Sequence, residues 1–386
     1  MRMLHTADWH VGRTIRGRSR AGEHAAVLDE IVRLADAEQV DVVLVAGDQF
    51  DVAAPAPDAE RIVYRALLDL AETGAVVVVV AGNHDNAQRL EAVAPLLAAG
   101  GVRAGARLAR PDQGGVVDVA TRSGEVARIA LLPFVSQRAI VRADDLMALD
   151  ADEHAGRFDA RMRAVIDRLC SGFADDTVSV LLGHLTVYGG QTGGGERAAH
   201  VFGYAVPATV FPATAHYVAL GHLHRPQRLP AACPVWYAGS PLQLDFGETG
   251  DDSAVLLVDV AVGRPAEVRN VPLVAGRRLR SVRGSLEQLE ELAAATDGPP
   301  PRRLGDHLRV VVVGQARAGL AEQVREWFPD AVEVVVEAAD GPHEQGDAPA
   351  RLGRSPRELF AEYLADRGAV DERVQALFDE LLDDTA

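Results

Sequence analysis

The sequence is poor in cysteine, lacks lysine and contains no long apolar run. Its two cysteines, Cys170 and Cys233, have no spacing that suggests a disulfide framework or a thiolate metal site. The longest apolar run, residues 75–81 (AVVVVVA), is too short to span a bilayer and predicts a buried strand. The first residues reach an acid at Asp8, too early for the apolar core of a signal peptide. We therefore expect a cytoplasmic protein with no membrane segment.

The charge is strongly acidic, because the formal net charge is −17 and all 39 basic residues are arginine. Affinity for nucleic acid depends largely on neutralising phosphates, so this charge argues against a protein that binds DNA with its whole surface. Two alternatives stay open for a nucleic-acid substrate. Either the contacts are local and supplemented by metal ions, or a partner subunit supplies the basic surface.

Apolar periodicity predicts strands alternating with helices over the first hundred residues, followed by short strands from about Val116 to Val271. Together they predict an α/β protein with a two-sheet sandwich, in which the later strands form the second sheet. A strand–helix–strand–helix–strand pattern at 277–337 predicts a small α/β domain. After a Gly/Pro/Asp-rich linker, a capping box at Ser355–Glu358 begins two short amphipathic helices. The predicted boundaries are 1–271 for the large domain, 276–338 for the small domain, 339–354 for the linker and 355–386 for the helical tail.

Five short polar segments each follow an apolar strand, at the end where α/β sheets place their ligands. Glycines within them let the backbone turn sharply and approach an ion or a phosphate closely. Carboxylate, imidazole and amide groups together suit borderline divalent ions such as Mn²⁺. Each segment alone is a weak signal, but all five in this order predict a metal site. The segments are 8–10 (DWH), 47–51 (GDQFD), 82–85 (GNHD), 183–184 (GH) and 221–224 (GHLH).

In this order the five segments resemble the signature of the calcineurin-like metallophosphoesterases. The stretch Tyr237–Pro241, followed by residues 246–248 (FGE), is similar to one carried by SbcD-type bacterial nuclease subunits of that superfamily. The resemblance is strong over residues 1–250 and covers the small domain only in architecture. It implies a two-sheet calcineurin-like sandwich with a small α/β capping domain and a C-terminal helical tail.

The resemblance also implies a site for two divalent cations, with Mn²⁺ expected and Mg²⁺ as the alternative. Two of the seven implied ligands are carboxylates, so two divalent cations would leave a positive site that can hold a phosphodiester. One cation is assigned to Asp8, His10, Asp48 and His224, and the other to Asn83, His184 and His222, with Asp48 bridging both.

His84 and Asp85 are the implied catalytic pair. The His84 ring would face the substrate, oriented by the Asp85 carboxylate, and would steady developing charge or protonate the leaving oxygen. The other interpretation is a structural histidine that supports the metal site. Asp51 is expected to cap its loop or to support a ligand rather than to bind a metal.

The densest basic stretch begins at His10 and predicts contacts with the phosphates of a DNA duplex. The alternative interpretation is a solvated loop. The resemblance implies a Mn²⁺-dependent double-strand DNA exonuclease and single-strand or hairpin endonuclease, acting in a DNA end-processing and repair complex. The arginines of this stretch are Arg13, Arg16, Arg18 and Arg20.

The implied partners are an SbcC-type ATPase subunit, held by the 355–386 tail, and a second copy of the chain, through helices 58–73 and 86–99. The sequence alone equally allows the tail to pack on its own small domain. Two other functions stay open: a small-molecule phosphodiesterase or phosphomonoesterase, and an inactive scaffold that tethers DNA ends. Segment 47–51 lacks the Asp-Arg-Gly continuation of Ser/Thr protein phosphatases, and the filled ligand positions disfavour a scaffold.

Overall fold

The computed structural model describes residues 1–122, 124–136, 140, 158–196, 205–294 and 306–338, together with 360, 364, 373–375, 377 and 378. The chain divides into two compact units. The first comprises Met1–Val312 and Ala316–Val335, and the second comprises Val313–Gln315 and Val336–Ala386.

The first large sheet has six strands, of which four are parallel neighbours. The parallel strands are β1 (Arg2–Thr6), β4 (Val42–Val45), β5 (Val76–Val80) and β6 (Val102–Gly105). Two antiparallel strands, β13 (Ala254–Ala261) and β14 (Arg264–Pro272), extend the sheet beyond β1, so the order is β14–β13–β1–β4–β5–β6. Residues 14–15 and 18–19 form a separate small hairpin, β2 (Thr14–Ile15) and β3 (Arg18–Ser19).

The second large sheet also has six strands, in the order β11–β12–β10–β9–β8–β7. Strands β8, β9, β10 and β12 are parallel, whereas the edge strands β7 and β11 are antiparallel to their neighbours. The bounds are β7 (Val116–Ala120), β8 (Val126–Leu132), β9 (Val178–His184), β10 (Tyr217–Gly221), β11 (Gln227–Leu229) and β12 (Val235–Tyr237).

The sequence predicted that all later strands join the second sheet, and this is wrong for β13 and β14. Strand β13 instead pairs antiparallel with β1, with Arg2 opposite Asp259. An ion pair of 2.8 Å between the Arg2 Nε and the Asp259 Oδ1 adds to the pairing. The physical reason is that β1 would otherwise leave an open edge of unpaired backbone groups, which β13 covers.

The two sheets pack face to face through a buried apolar layer that includes Met3, Leu44 and Val78 of the first sheet and Ile129 and Val180 of the second. Among the helices whose bounds the structure describes, three cover the outer face of the first sheet and one covers the second. The run of valines in β5 suits this place, because both faces of that strand are buried. The predicted two-sheet α/β sandwich is therefore confirmed. The helices are α1 (Ala21–Ala37), α2 (Pro57–Glu72), α3 (Ala87–Ala99) and α4 (Phe158–Leu169).

A three-stranded sheet with the order β15–β16–β17 and two helices follow the sandwich. The elements agree with the predicted strand–helix–strand–helix–strand pattern within a few residues, while the domain boundaries themselves stay predictions. They are β15 (Leu279–Gly284), α5 (Leu286–Ala294), β16 (His307–Val313), α6 (Leu320–Trp327) and β17 (Ala331–Glu337).

The predicted linker, 339–354, and most of the predicted tail lie outside the described residues. Within the tail, the rings of Phe360 and Phe378 stack with centroids 4.0 Å apart. Cys170 and Cys233 are buried and form no disulfide. In the part of the chain that the structure describes, no helix is both long enough and apolar enough to cross a membrane.

Candidate metal centre

The five polar segments converge at one edge of the sandwich. Asp8, Asp48 and Asn83 come two or three residues after the ends of β1, β4 and β5 of the first sheet. His184 ends β9, and His222 follows β10 of the second sheet. Because the two sheets pack face to face, the carboxyl ends of these strands bring the five side chains together.

The first cluster consists of Asp8, His10 and His224, whose ligand atoms all lie within 4.8 Å of one another. Both carboxylate oxygens of Asp8 accept the backbone N–H of His222 at 3.0 Å, which joins the two sheets. His10 is 2% exposed, and its Nε2 and Nδ1 lie 3.5 Å from the Asp48 and Asp51 carboxylates, too far for a hydrogen bond of normal geometry among the described residues. A buried imidazole in that condition costs free energy unless another ligand satisfies it, and a cation would do so.

The second cluster consists of Asp48, His184 and His222, with the Asn83 side chain between the two rings. The Asn83 Oδ1 lies 3.0 Å from the His184 Nε2 and 2.9 Å from the His222 Nδ1. Adjacent ligands of an octahedral ion with bonds of about 2.1 Å lie about 3.0 Å apart, so this spacing fits a divalent cation. The His184 Nδ1 donates to the Ala46 carbonyl at 2.8 Å, which leaves Nε2 for the cation.

Asp48 lies between the two clusters. Its Oδ2 is 3.5 Å from the His10 Nε2 and 3.4 Å from the His184 Nε2. Its Oδ1 accepts the backbone N–H of His84 at 2.8 Å. The structure thus brings together all seven implied ligands, and the donor set fits two divalent cations that share this carboxylate.

Protonation of the centre depends on burial and on the carboxylates. Burial raises the pKa of Asp8 to about 7. Burial lowers the pKa of His184 and His224, but the surrounding carboxylates together outweigh it and raise each to about 9, with Asp48 contributing most at His184 and Glu248 most at His224. Since a ring nitrogen binds a metal only without its proton, cation binding must displace protons here.

We expect the affinity for Mn²⁺ to rise as the pH is raised through 7 towards 9, because the protonated rings of His184 and His224 lose their protons over that range. At pH 7, calorimetric titration in buffers of different ionisation enthalpy should show release of roughly two protons for the pair of cations. Equal heats in all buffers, together with an affinity independent of pH, would contradict this expectation.

Backbone strain is concentrated at the centre. Asp8, His10, Asp48 and His222 have φ angles of 52°, 44°, 51° and 104°, in the left-handed region that residues with a Cβ rarely adopt. Each such residue costs about 1–3 kcal/mol and persists where the surrounding structure holds it. Four strained residues among the seven implied ligands indicate a site in which geometry is maintained at the expense of stability.

Two glycines allow the close approach of the strand ends. A Cβ on Gly82 would lie 2.1 Å from the Asp48 Oδ1, and a Cβ on Gly47 would lie 2.3 Å from the His184 Nδ1. Gly47 also has a φ of +89°. Glycine is therefore required at both positions by the space that the neighbouring ligand occupies.

His84 lines the cleft in front of the two clusters, with its ring centroid 4.7 Å from that of His10. The His84 Nδ1 donates to the backbone carbonyl of Asp51 at 2.7 Å. This bond fixes the ring, and Nε2 is the nitrogen left for a substrate.

The prediction that the Asp85 carboxylate orients His84 is wrong. That carboxylate accepts the backbone N–H groups of Gly82 at 2.8 Å, Phe50 at 3.0 Å and Gln49 at 3.3 Å. Burial raises the pKa of Asp85 to about 7, with the Asp48 charge adding to the effect. Asp85 therefore holds the 47–50 and 82–85 loops together, and the carbonyl of Asp51 orients the histidine.

The four arginines of the basic stretch have different environments. Arg13 lines the cleft and forms an ion pair of 3.2 Å with Asp51. Arg16 forms an ion pair of 2.8 Å with Glu333, and the Arg18 guanidinium donates to the Ala331 carbonyl at 3.4 Å.

Arg20 is buried, with 1% of its surface exposed. Its guanidinium donates to the carbonyls of Gln243 and Arg277 and to the carboxylate of Glu23. A side chain in this place has no donor to offer to a phosphate. Arg20 is therefore removed from the predicted DNA-contacting set, and its guanidinium holds the backbone at Arg277, just before β15.

Two glutamates beside His224 were not predicted as site residues. The Glu248 Oε1 lies 2.8 Å from the His224 Nδ1, and the Glu196 Oε1 accepts the His224 backbone N–H at 2.8 Å. Glu248 stands in the 246–248 segment (FGE), which carries part of the resemblance to SbcD-type subunits. These carboxylates, with Asp51 beside His10, make the centre less positive than a count of the seven ligands indicates.

An α/β sandwich with paired Asp, Asn and His clusters at its strand ends defines the class of calcineurin-like phosphoesterases. The family profile described as calcineurin-like phosphoesterase matches residues 1–226. The chain belongs to this family and, within it, to the SbcD subunits of SbcCD nucleases, as the following relatives show.

Three curated relatives are each named as the SbcD subunit of the nuclease SbcCD. The protein of Bacillus subtilis (strain 168) is 38% identical over 284 residues, which are 72% of this chain and 71% of the relative. That of Rhodobacter capsulatus is 39% identical over 287 residues, 71% of this chain and 69% of the relative. That of Escherichia coli (strain K12) is 32% identical over 310 residues, 78% of this chain and 76% of the relative. The resemblance predicted from the five segments is confirmed.

Proposed function

We propose that this protein is a metal-dependent DNA nuclease that hydrolyses phosphodiester bonds as the SbcD component of an SbcCD-type end-processing complex. The observation that carries the proposal is the position of Asp48, whose carboxylate lies 3.5 Å from the His10 Nε2 and 3.4 Å from the His184 Nε2, where three overlapping Asp/His groups meet. Because the chain belongs to the SbcD family, we propose a nuclease rather than a phosphoesterase that acts on another substrate. Mn²⁺ is the proposed ion, since imidazole, amide and carboxylate ligands suit it better than Mg²⁺.

The cations, when bound, would neutralise the phosphodiester and lower the pKa of a water molecule for attack. The chain's own contribution is to hold and orient them. Asp48 is placed to touch both, and the Ala46 carbonyl sets the tautomer of His184. The proposed ligands are Asp8, His10, Asp48 and His224 for one cation, and Asn83, His184, His222 and the shared Asp48 for the other.

His84 is the proposed proton donor. Its Nδ1–H is occupied by the Asp51 carbonyl, so a neutral ring presents only a lone pair at Nε2 to the substrate. The imidazolium form carries a second proton there, which it can donate to the leaving oxygen or to a charged phosphoryl oxygen.

We propose that the partner subunit supplies most of the basic surface for DNA. Among the four arginines of the predicted stretch, Arg13 lines the cleft, whereas Arg16, Arg18 and Arg20 are directed towards residues of this chain. Against a net charge of −17, one arginine beside the centre provides little of the phosphate neutralisation that DNA binding needs.

The 355–386 tail is the proposed docking segment for an SbcC-type ATPase, since the sequence predicts two amphipathic helices there and Val374 and Leu377 are 42% and 55% exposed. For the homodimer we propose α2 and α3, where Leu68 and Leu96 are 36% and 75% exposed. Exposed leucines on these two consecutive helices favour an apolar contact with a second copy of the chain. We also propose that the protein acts as an exonuclease on duplex ends and as an endonuclease on single strands or hairpins.

The function is tested by cleavage of end-labelled duplex and hairpin DNA with Mn²⁺, alone and with the ATPase partner and ATP. A chromogenic diester and a phosphoprotein serve as competing substrates. We expect DNA cleavage that stops when the metal is chelated. Hydrolysis of the small diester with inert DNA, even in the complex, would support a small-molecule phosphodiesterase. No hydrolysis at all with no bound metal would support a scaffold.

Replacing His84 with alanine should lower the cleavage rate by roughly 10²- to 10⁴-fold, the usual contribution of a general acid. Binding of two Mn²⁺ should persist, because His84 is not among the proposed ligands. The control is His216→Ala, since the His216 ring is outside the centre and accepts the Ser179 N–H at 3.1 Å. Loss of a cation together with activity in His84→Ala would assign His84 as a ligand instead.

A further inference from the structure

We propose that Glu248 is a positioning residue that holds His224 for its cation, and that Gln243 makes this placement depend on the small domain. The inference rests on the proposed metal centre, and it concerns the residues that hold His224, a proposed ligand of one of the two cations. Glu248 and His224 are 3% and 7% exposed, so their contact is shielded from water.

Both oxygens of the Glu248 carboxylate are engaged. Oε1 accepts the His224 Nδ1–H at 2.8 Å, and Oε2 accepts the Leu244 backbone N–H at 2.7 Å. The carboxylate therefore cannot rotate without losing a buried hydrogen bond, and neither can the ring. Since Nδ1 is taken, Nε2 is the nitrogen of His224 that is available to a cation, and the carboxylate increases its basicity.

The glycine-rich loop at residues 193–196 packs against the Glu248–His224 pair. A Cβ on Gly195 would lie 2.5 Å from the Glu248 Oε1 and 2.9 Å from the His224 Nδ1. Glu196 then accepts the His224 backbone N–H at 2.8 Å. The ring is thus held both through its side chain and through its own backbone, as expected where a ligand is placed before the metal binds.

Gln243 connects Glu248 to the small domain. Its Nε2 donates to the Glu248 backbone carbonyl at 3.0 Å, and its Oε1 accepts the backbone N–H of Leu279, the first residue of β15, at 2.8 Å. The buried Arg20 guanidinium donates to the Gln243 carbonyl. If β15 moved, the Gln243 Oε1 would no longer accept the Leu279 N–H. The Gln243 side chain would then hold the turn that carries Glu248 less firmly.

The centre is therefore asymmetric. The His224 cluster depends on the 243–248 turn and on the small domain, whereas His184 is fixed by the Ala46 carbonyl within the sandwich. Changes at Glu248 or Gln243 should accordingly weaken one cation and leave the other.

Calorimetric titration with Mn²⁺ of the full chain tests the proposal, with thermal unfolding followed in parallel. Glu248→Ala should weaken one of the two bound cations by roughly 10- to 100-fold, the usual effect of removing a group that orients a metal ligand. Glu248→Gln keeps an acceptor for the ring and should recover part of the affinity. Gln243→Leu should weaken binding of the same cation.

The matched control is Glu30→Ala. The Glu30 carboxylate also holds a loop, by accepting the backbone N–H groups of Val274 and Ala275, but it contacts no implied ligand. This variant should bind both cations as the wild type does. Unchanged binding in Glu248→Ala, or equal weakening of both cations, would overturn the positioning role. A wild-type protein that binds fewer than two cations would overturn the proposed metal centre itself.

Discussion

Asp48→Ala should bind neither cation tightly and should lose DNA cleavage by on the order of 10³-fold or more. The reason is that one carboxylate oxygen of Asp48 faces both clusters, at 3.5 Å from His10 and 3.4 Å from His184. No other side chain among the seven implied ligands is assigned to both cations. Removing it takes a negative ligand from both cations at once, whereas removing any histidine affects one.

The measurement is metal content after dialysis against Mn²⁺, together with the cleavage rate on end-labelled duplex. Asp48→Asn serves as a second variant, because its amide oxygen can still accept the His84 N–H that Asp48 accepts at 2.8 Å. Asp118→Ala is the control, since the Asp118 carboxylate pairs with Arg128 at the edge strand β7. Retention of two cations by Asp48→Ala would show that the carboxylate does not bridge.

Gly221→Ala should be strongly destabilising, costing about 3–5 kcal/mol in the free energy of unfolding or preventing folding. A Cβ at this position would lie 2.0 Å from the Ala46 carbonyl oxygen and 2.9 Å from the Ala7 Cβ. Gly221 ends β10 of the second sheet, and Ala7 and Ala46 follow β1 and β4 of the first. The clash is with backbone rather than with a flexible side chain, so the two sheets would have to separate.

Urea unfolding followed by circular dichroism measures this effect. Gly22→Ala is the matched control, because nothing lies within 4 Å of its added Cβ and the residue is in α1. Alanine should raise stability there by roughly 0.5–1 kcal/mol, since glycine is a poor helix former. An unfolding midpoint for Gly221→Ala equal to that of the wild type would show that the sheets can adjust, contrary to this prediction.

The elements, and the polar segments that carry the proposed ligands, were predictable from local patterns. The valine run of β5 predicts a strand because β-branched side chains suit a strand buried on both faces. The face of α1 that carries Leu28, Ile31 and Ala35 is buried as its spacing predicts. The polar segments lie at the carboxyl ends of strands, and in parallel sheets those ends share an edge, so the strand pattern alone leads one to expect their convergence.

The orientation of His84 was not predictable. Asp85 is adjacent to His84 in sequence, but its carboxylate is directed to the backbone of Gly82 and Phe50. The group that holds the ring is a backbone carbonyl, that of Asp51. Every residue has a carbonyl, so nothing in the sequence distinguishes the one that a fold places beside a ring.

The sequence by itself determined which segments form strands and helices and which polar groups stand at strand ends, because periodicity and turn residues act over neighbouring positions. Only the tertiary structure decided that β13 pairs with β1, that Arg20 is buried and that Glu248 meets His224. Each of these contacts joins residues distant along the chain. Their formation depends on which edges and side chains the packed sheets leave to be satisfied, and that is a property of the assembled core.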